Sequence, residues 1–167
     1  MGPQDEERMD VRERAAARSG AQLLAYGQHF HVNRERDRLI YQDETGLLDL
    51  PAPALPGPHQ IQNAGAVLAT LRHLGADEAA CEAALTNATW PARMQRLTTG
   101  PLVDRYAPAE LWLDGGHNPA AGKAIAATLD TLPNRPTQLV CGLLNTNCRL
   151  STSDAAAEAH THTLPCT

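Results

Sequence analysis

The sequence has few large apolar side chains. Only six of its 167 residues are aromatic, and Leu, Ile, Val and Phe together number 31. Alanine is abundant, with 28 residues. This content lies near the lower limit for globular domains, although a net charge of −5 is too small to force disorder by itself. We therefore expect a shallow core built from Ala-rich helix faces and leucines.

Several segments and motifs are also absent. No run of 18 apolar residues occurs, and the first ten residues are acidic and polar, so the sequence predicts neither a membrane span nor a secretory signal peptide. A pI near 5.7 argues against a nucleic-acid partner. The phosphate loop, the dinucleotide-binding glycine fingerprint and the serine nucleophile elbow are missing, which argues against a dinucleotide-dependent oxidoreductase. Four cysteines without an export signal indicate reduced thiols in the cytoplasm.

The first half of the chain predicts helices around a group of short strands. The first helix should end at Gly20 and the second at Gly75, and Asp77 should cap the third. These helices are expected over residues 5–19, 60–74 and 78–89. Alternating apolar residues and a hairpin turn at 43–46 predict the strands. The strands are expected at 22–25, 29–33, 39–42 and 46–50. A Pro-rich connector, 51–58, follows them.

The second half predicts a strand–helix–strand unit. Strands are expected at 94–97, 110–114 and 138–142, and Asn118 should cap a helix that runs from Pro119 to about Leu132. A strand, a helix and a strand within about 30 residues predict a parallel pair. The interruption at 87–93 predicts a domain boundary. After residue 146 no apolar period remains, so residues 147–167 are expected to be disordered.

The segment LWLDGGHNPAAG, residues 111–122, is the strongest candidate site. A strand ends at Asp114, two glycines follow, and His117 and Asn118 precede a helix. Ligands in open α/β sheets bind beyond the carboxyl ends of strands, and a carboxylate there can accept hydrogen bonds from ribose hydroxyls. The alternative is a tight turn in which the Asp and Asn side chains serve only the backbone, and the spacing alone favours neither.

Two further clusters carry polar groups. His59, Gln60 and Asn63 lie at the start of the second helix, where they could bind a ligand or simply cap the helix beneath the Pro-rich loop. In TWPARMQ, residues 89–95, Trp90 offers an apolar anchor, and Arg93 offers a guanidinium suited to phosphate. The alternative for this segment is a hinge with a buried Trp and a solvated Arg.

Cysteines and histidines near the end of the sequence do not match a common zinc site in their spacing, so no metal ligand is assigned. They are Cys141, Cys148, His160, His162 and Cys166.

Three fragments in this order, LPGPHQIQNA, WPARMQRL and LWLDGGHNPAAG, carry a resemblance to a known family. Together they resemble the C-terminal part of bacterial folylpolyglutamate synthase/dihydrofolate synthase, a member of the Mur-ligase-like group. The resemblance covers about residues 2–146. It implies an α/β fold in which residues 1–88 end a central ATPase domain and 89–146 form an incomplete Rossmann-like C-terminal domain.

The resemblance also implies a chemistry. Such enzymes phosphorylate a carboxylate of dihydropteroate or folate with ATP, and L-glutamate then attacks the acyl phosphate. By resemblance, Asn63, Arg93, Asp114 and His117 would contact ATP in a cytoplasmic, monomeric parent enzyme. No catalytic residue is assigned, because the family's phosphate loop, its Mg²⁺-binding acids and its modified lysine lie upstream of the matched segment.

This resemblance predicts a fragment that is inactive alone. Where the family continues with Lys-Asp after CGLLNT, the tail here departs from the pattern, as a frameshift would produce. Two alternatives stay open: a nucleotide-binding fragment without catalysis, and a fragment of a Mur-type ligase acting on cell-wall precursors. The pair His59–Gln60 and the W-P-A-R hinge favour the folate branch.

Overall fold

The computed structural model describes residues 1–142, so the predicted tail 147–167 and most of the Cys and His residues near it lie outside the described residues. The described part forms two compact units. The first unit comprises Met1–Ala54 and His59–Ala88, and the second comprises Leu55–Pro58 and the chain from Thr89 onward. The assignment of residues 1–88 and 89–146 to two ligase domains stays a prediction.

Both units combine helices and strands, which confirms the mixed α/β class. In chain order the elements are α1 (Glu6–Ser19), β1 (Phe30–Glu35), β2 (Arg38–Asp43), β3 (Gly46–Pro51), α2 (His59–His73), α3 (Glu78–Thr86), β4 (Gln95–Leu97), α4 (Pro101–Tyr106), β5 (Leu111–Leu113) and α5 (Pro119–Leu129). None of the helices within residues 1–142 is long and apolar enough to cross a membrane.

The first unit is built on an antiparallel sheet in the order β1-β2-β3. Val32 pairs with Tyr41, and Tyr41 pairs with Leu48, so these three side chains lie on one face. That face is buried, since alternate residues of a strand point to the same side. Three of the four strands predicted here are therefore confirmed.

Helices α2 and α3 cover this face of the sheet. Leu68 of α2 and Cys81 of α3 are fully buried in the same cluster as the strand residues. Gly65 lets α2 approach β1 closely, because a Cβ at this position would overlap Val32. The core is shallow, as expected, and it is made from one sheet face and two Ala-rich helices.

In the first unit, the predicted ends of α1 and α2 and the predicted start of α3 are confirmed. Asp5 and Asp77 each accept a backbone N–H of the first turn, and Gly20 and Gly75 both have positive φ at the helix ends. Helix α3 ends at Thr86 rather than near residue 89.

A hydrogen-bonded ion pair joins α2 to the sheet. The Arg72 guanidinium donates to both Asp43 carboxylate oxygens, with Nε 2.8 Å from Oδ2, and it also contacts the Thr45 hydroxyl. Thr45 donates to Asp43 from its amide and its hydroxyl, and the Tyr41 hydroxyl lies 3.2 Å from Oδ2. Burial alone would raise the pKa of Asp43, but the hydrogen bonds from Thr45 and Arg72 lower it overall.

The strand predicted at 22–25 is wrong. Only Tyr26 forms an isolated bridge, to Phe30. Gly27 has positive φ, and the His29 backbone N–H donates to the Ala25 carbonyl, so this stretch turns back on itself. The Leu24 carbonyl and the Tyr26 N–H bond the Met1 backbone, so these groups are satisfied without a partner strand.

The second unit differs from the predicted parallel unit. Strands β4 and β5 pair antiparallel, and residues 138–142 contain an isolated bridge residue, Leu139, rather than a strand. Val140 is 82% exposed, so this segment gains little burial that would favour a strand. Strand β5 is only half-buried, α4 was not predicted, and α5 ends at Leu129 rather than Leu132.

Candidate functional site

The turn after β5 is organised by the Asp114 carboxylate. Oδ1 accepts the Gly116 backbone N–H at 2.7 Å, and Oδ2 accepts the Met94 backbone N–H at 2.8 Å. Asp114 therefore bonds its own turn and also connects β5 to the segment that precedes β4. The interpretation that Asp114 serves the backbone describes its contacts in this structure, although a carboxylate retains further acceptor sites.

The two glycines of the turn have different surroundings. A Cβ on Gly116 would lie 2.9 Å from the Ile125 side chain and 3.0 Å from Asp114 Oδ1. A Cβ on Gly115 would make only ordinary contacts, the nearest at 3.5 Å. A side chain at Gly116 would thus force Ile125 or Asp114 to shift, whereas a Cβ at the exposed Gly115 would fit without a shift.

The start of α5 matches the sequence prediction. Asn118 Oδ1 accepts the Ala121 backbone N–H at 2.9 Å, and Pro119 occupies the first helical turn. His117 is exposed, and its Nδ1 lies 3.1 Å from the Gly115 carbonyl oxygen. The Asn118 side chain is committed to the helix, and the His117 imidazole is accessible from solvent.

Arg93 lies in a turn with an unusual backbone conformation. Its neighbours Ala92 and Met94 both have positive φ, 54° and 43°. The Arg93 side chain is exposed, and among residues 1–142 it has no hydrogen-bond or ion-pair partner. Trp90 is 66% exposed, so the alternative of a hinge with a buried Trp is wrong for the tryptophan.

The third candidate cluster lies at the start of α2 in the first unit. Asn63 Nδ2 donates to Gln60 Oε1 at 3.0 Å, and Gln60 Nε2 lies 3.1 Å from His59 Nε2. Gln60 is buried and Asn63 is exposed, so a buried amide holds the Asn63 side chain at the surface. The three side chains form one hydrogen-bonded chain, in which only Gln60 and Asn63 have the spacing of neighbours on a helix face.

The structure therefore brings the predicted residues together in two groups. His59, Gln60 and Asn63 belong to the first unit, and Arg93, Asp114 and His117 belong to the second. Each group offers neutral or cationic hydrogen-bonding side chains at its surface, and an unpaired guanidinium is well suited to an anionic ligand.

Sequence reasoning missed two residues in these groups. Gln62 Oε1 is buried, with no hydrogen-bond partner in the described part of the chain. Gln95 Oε1 accepts the Ala92 backbone N–H at 3.0 Å. No sequence signal distinguishes either glutamine, since both roles depend on contacts made by the folded chain. Within residues 1–142 no group of three His, Cys, Asp or Glu side chains could hold a metal ion.

The chain is similar in sequence to folylpolyglutamate synthases. It is 31% identical over 124 residues to a probable bifunctional folylpolyglutamate synthase/dihydropteroate synthase from Haloferax volcanii, a match covering 73% of this chain and 14% of that protein. It is 25% identical over 140 residues to the folylpolyglutamate synthase of Lacticaseibacillus casei, covering 77% of this chain and 31% of that protein. The chain thus spans less than a third of the length of either relative. No protein-family model matches the chain.

Solved structures of the same enzymes share its fold. The structure of E. coli FolC in complex with DHPP and ADP aligns with a TM-score of 0.76 and 25% identity, covering 90% of this chain and 34% of that one. Mycobacterium tuberculosis folylpolyglutamate synthase complexed with ADP and AMPPCP aligns with a TM-score of 0.73 and 24% identity, covering 95% of this chain and 36% of that one. The resemblance of the three sequence fragments is therefore confirmed: the chain is a relative of the folylpolyglutamate synthases and has their mixed α/β, Mur-ligase-like fold.

Proposed function

We propose that this chain is part of an ATP-dependent ligase that joins L-glutamate to dihydropteroate or folate through an acyl phosphate. The observation that carries this proposal is the exposed Arg93 guanidinium, which has no partner among residues 1–142, in a chain whose relatives have been solved with ADP and AMPPCP. Arg93 would contact the nucleotide phosphates, because a guanidinium can donate two parallel hydrogen bonds to phosphate oxygens.

The other predicted residues would complete the nucleotide contacts. By resemblance, Asn63 would also contact the nucleotide, and its amide is hydrogen-bonded to Gln60, which in turn bonds His59. Asp114 would accept from the ribose or adenine side, and the exposed His117 imidazole would lie against the same ligand.

The chain alone would not perform the ligation. Its sequence contains no phosphate loop, so no lysine of that motif would neutralise the β- and γ-phosphates. The described residues also do not fit a magnesium site, since no three acidic or imidazole side chains converge there. Mg²⁺, its ligands and the modified lysine belong to the upstream part expected from the resemblance, and the parent enzyme would act as a monomer in the cytoplasm.

Isothermal titration calorimetry of the 167-residue chain with ADP and with ATP tests the nucleotide site. We expect weak binding, with a Kd of about 1 mM, because only part of the site is preorganised. Arg93→Ala should weaken it about tenfold, the effect of losing a charge-assisted hydrogen bond. Arg105→Ala removes another exposed guanidinium of the second unit and should have no effect. Absence of heat at millimolar nucleotide would refute the site.

A ligation assay tests the second part of the proposal. The purified chain, supplied with ATP, Mg²⁺, L-glutamate and folate or dihydropteroate, should yield no glutamylated product. Product formed above the level of a reaction without protein would show that this chain is an active ligase by itself.

A further inference from the structure

The turn that carries Arg93 is held in a conformation that its residues do not favour. Ala92 and Met94 both occupy the left-handed region, which crowds a Cβ against the backbone. Such residues persist only where surrounding contacts hold them, and they concentrate at ligand-binding positions. Other contacts must therefore stabilise the left-handed backbone on each side of Arg93.

Four contacts supply that support, all within the second unit. The Ala92 N–H donates to Gln95 Oε1 at 3.0 Å, and the Ala92 carbonyl accepts from the Gly115 N–H at 2.8 Å. The Met94 N–H donates to Asp114 Oδ2 at 2.8 Å, and the Met94 side chain is buried with 4% exposure. The backbone is thus fixed immediately before and after Arg93, while Arg93 itself has no partner in the described part of the chain.

We propose that Asp114 and Gln95 are positioning residues that fix the turn Ala92–Arg93–Met94 and thereby present the Arg93 guanidinium to the ligand. This inference rests on the proposed function for the identity of the ligand, a nucleoside diphosphate or triphosphate. It adds to the nucleotide contact proposed for Asp114 a second role, in which the carboxylate holds the turn and acts through Arg93.

The two positioning residues act on different bonds. The Asp114 carboxylate accepts the Met94 N–H and the Gly116 N–H. Its loss therefore removes the hydrogen bond that joins the turn at Met94 to the end of β5. Gln95 holds only the Ala92 N–H, and it lies at the surface, so its replacement leaves the core untouched. Asp114→Ala should consequently have the larger effect, and Gln95→Ala should test the same idea in a chain that keeps its fold.

A double-mutant cycle with ADP binding separates positioning from direct contact. We expect Arg93→Ala to raise the Kd for ADP about tenfold, Gln95→Ala to raise it about fivefold, and the double variant to bind no more than about twofold weaker than Arg93→Ala. Additive losses, about 50-fold in the double variant, would show that Gln95 does not act through Arg93 and would overturn the inference. Asp104→Asn, an exposed carboxylate of the same unit, is the control and should leave the Kd unchanged.

Amide hydrogen exchange of the ligand-free chain tests the turn without any nucleotide. Asp114→Ala should accelerate exchange at Met94 and Gly116, and Gln95→Ala should accelerate it at Ala92. Gln95→Glu keeps the Oε1 acceptor and should restore the protection of Ala92. Unchanged exchange at these amides would show that the side chains do not hold the turn.

The two proposals can fail separately. If Arg93→Ala leaves ADP binding unchanged, the proposed nucleotide role of Arg93 fails, while the exchange measurements still decide whether Asp114 and Gln95 hold the turn. If Arg93→Ala weakens binding but Gln95→Ala and Asp114→Ala do not, the nucleotide site stands and the positioning inference is refuted.

Discussion

The ion pair between Asp43 and Arg72 should be a major local contribution to the stability of the first unit. Both side chains are largely buried, with 12% and 19% of their surfaces exposed. Asp43 also accepts two hydrogen bonds from Thr45 and one from Tyr41. Asp43→Ala removes the acceptor of all these bonds and leaves the Arg72 guanidinium between α2 and the sheet without its counter-charge.

The expected loss can be bounded from these contacts. Breaking a buried pair by removing one partner costs about 3–5 kcal/mol, and the partial exposure of Arg72 reduces this to about 2–3 kcal/mol. Arg38–Asp49 is a matched control, since its side chains are 49% and 56% exposed and Nε lies 2.7 Å from Oδ1. Asp49→Ala should cost no more than about 1 kcal/mol.

Native-state hydrogen exchange of the β2 amides is the appropriate assay, because the two units need not unfold together. The free energy of opening at Leu39 and Tyr41 should fall by about 2–3 kcal/mol in Asp43→Ala and by less than about 1 kcal/mol in Asp49→Ala. Equal losses in the two variants would refute the reasoning that burial makes the Asp43 pair important.

The same pair gives a pH dependence with a definite sign. Burial alone would raise the pKa of Asp43, but the hydrogen bonds from Thr45 and Arg72 bring it below its usual value of 3.8. A lowered pKa means that the ionised carboxylate is stabilised by folding. Its contribution is therefore fully present above about pH 4 and is lost as the pH falls through the folded pKa. In Asp43→Asn the free energy of unfolding should fall less steeply as the pH decreases. Hydrogen exchange or circular dichroism between about pH 5 and about pH 2 measures this dependence.

Two further predictions concern close packing and capping. Gly65→Ala should destabilise the first unit by about 1–3 kcal/mol in urea unfolding, because the added methyl overlaps Val32, whereas Gly115→Ala, whose new methyl meets only ordinary contacts, should be neutral. Equal stability of the two variants would contradict the close approach of α2 to β1. Asn118→Ala should destabilise α5 by about 1 kcal/mol, seen as faster amide exchange in its first turn, and Asn134→Ala is the control because Asn134 caps no helix. An unchanged first turn would mean that the cap contributes nothing.

Much of the secondary structure was predictable because its signals are local. Asp5, Asp77 and Asn118 each bond an amide three residues away, so the sequence alone locates the start of their helices. The hairpin at 43–46 and the alternation in β1–β3 were equally readable. The strand at 22–25 and the parallel pair were predicted wrongly, because strand formation depends on a partner strand that the local pattern does not specify.

The candidate site divides in the same way. The three fragments identify the family, and Asp114 and Arg93 are prominent in them as residue types suited to a nucleotide. The direction in which the Asp114 carboxylate points was undetermined by the sequence, and the alternative that it bonds the backbone matches the structure.

The sequence by itself determined the starts of α1, α2, α3 and α5, the β2–β3 hairpin, the shallow Ala-rich core and the relationship to the folylpolyglutamate synthases, since each depends on residues close together in the chain. The tertiary structure alone decided that Asp43 meets Arg72 across 29 positions and that Asp114 meets Met94 across 20. It also decided that Ala92 and Met94 are left-handed. These contacts form only when separate elements pack, and packing fixes distances that no local pattern encodes.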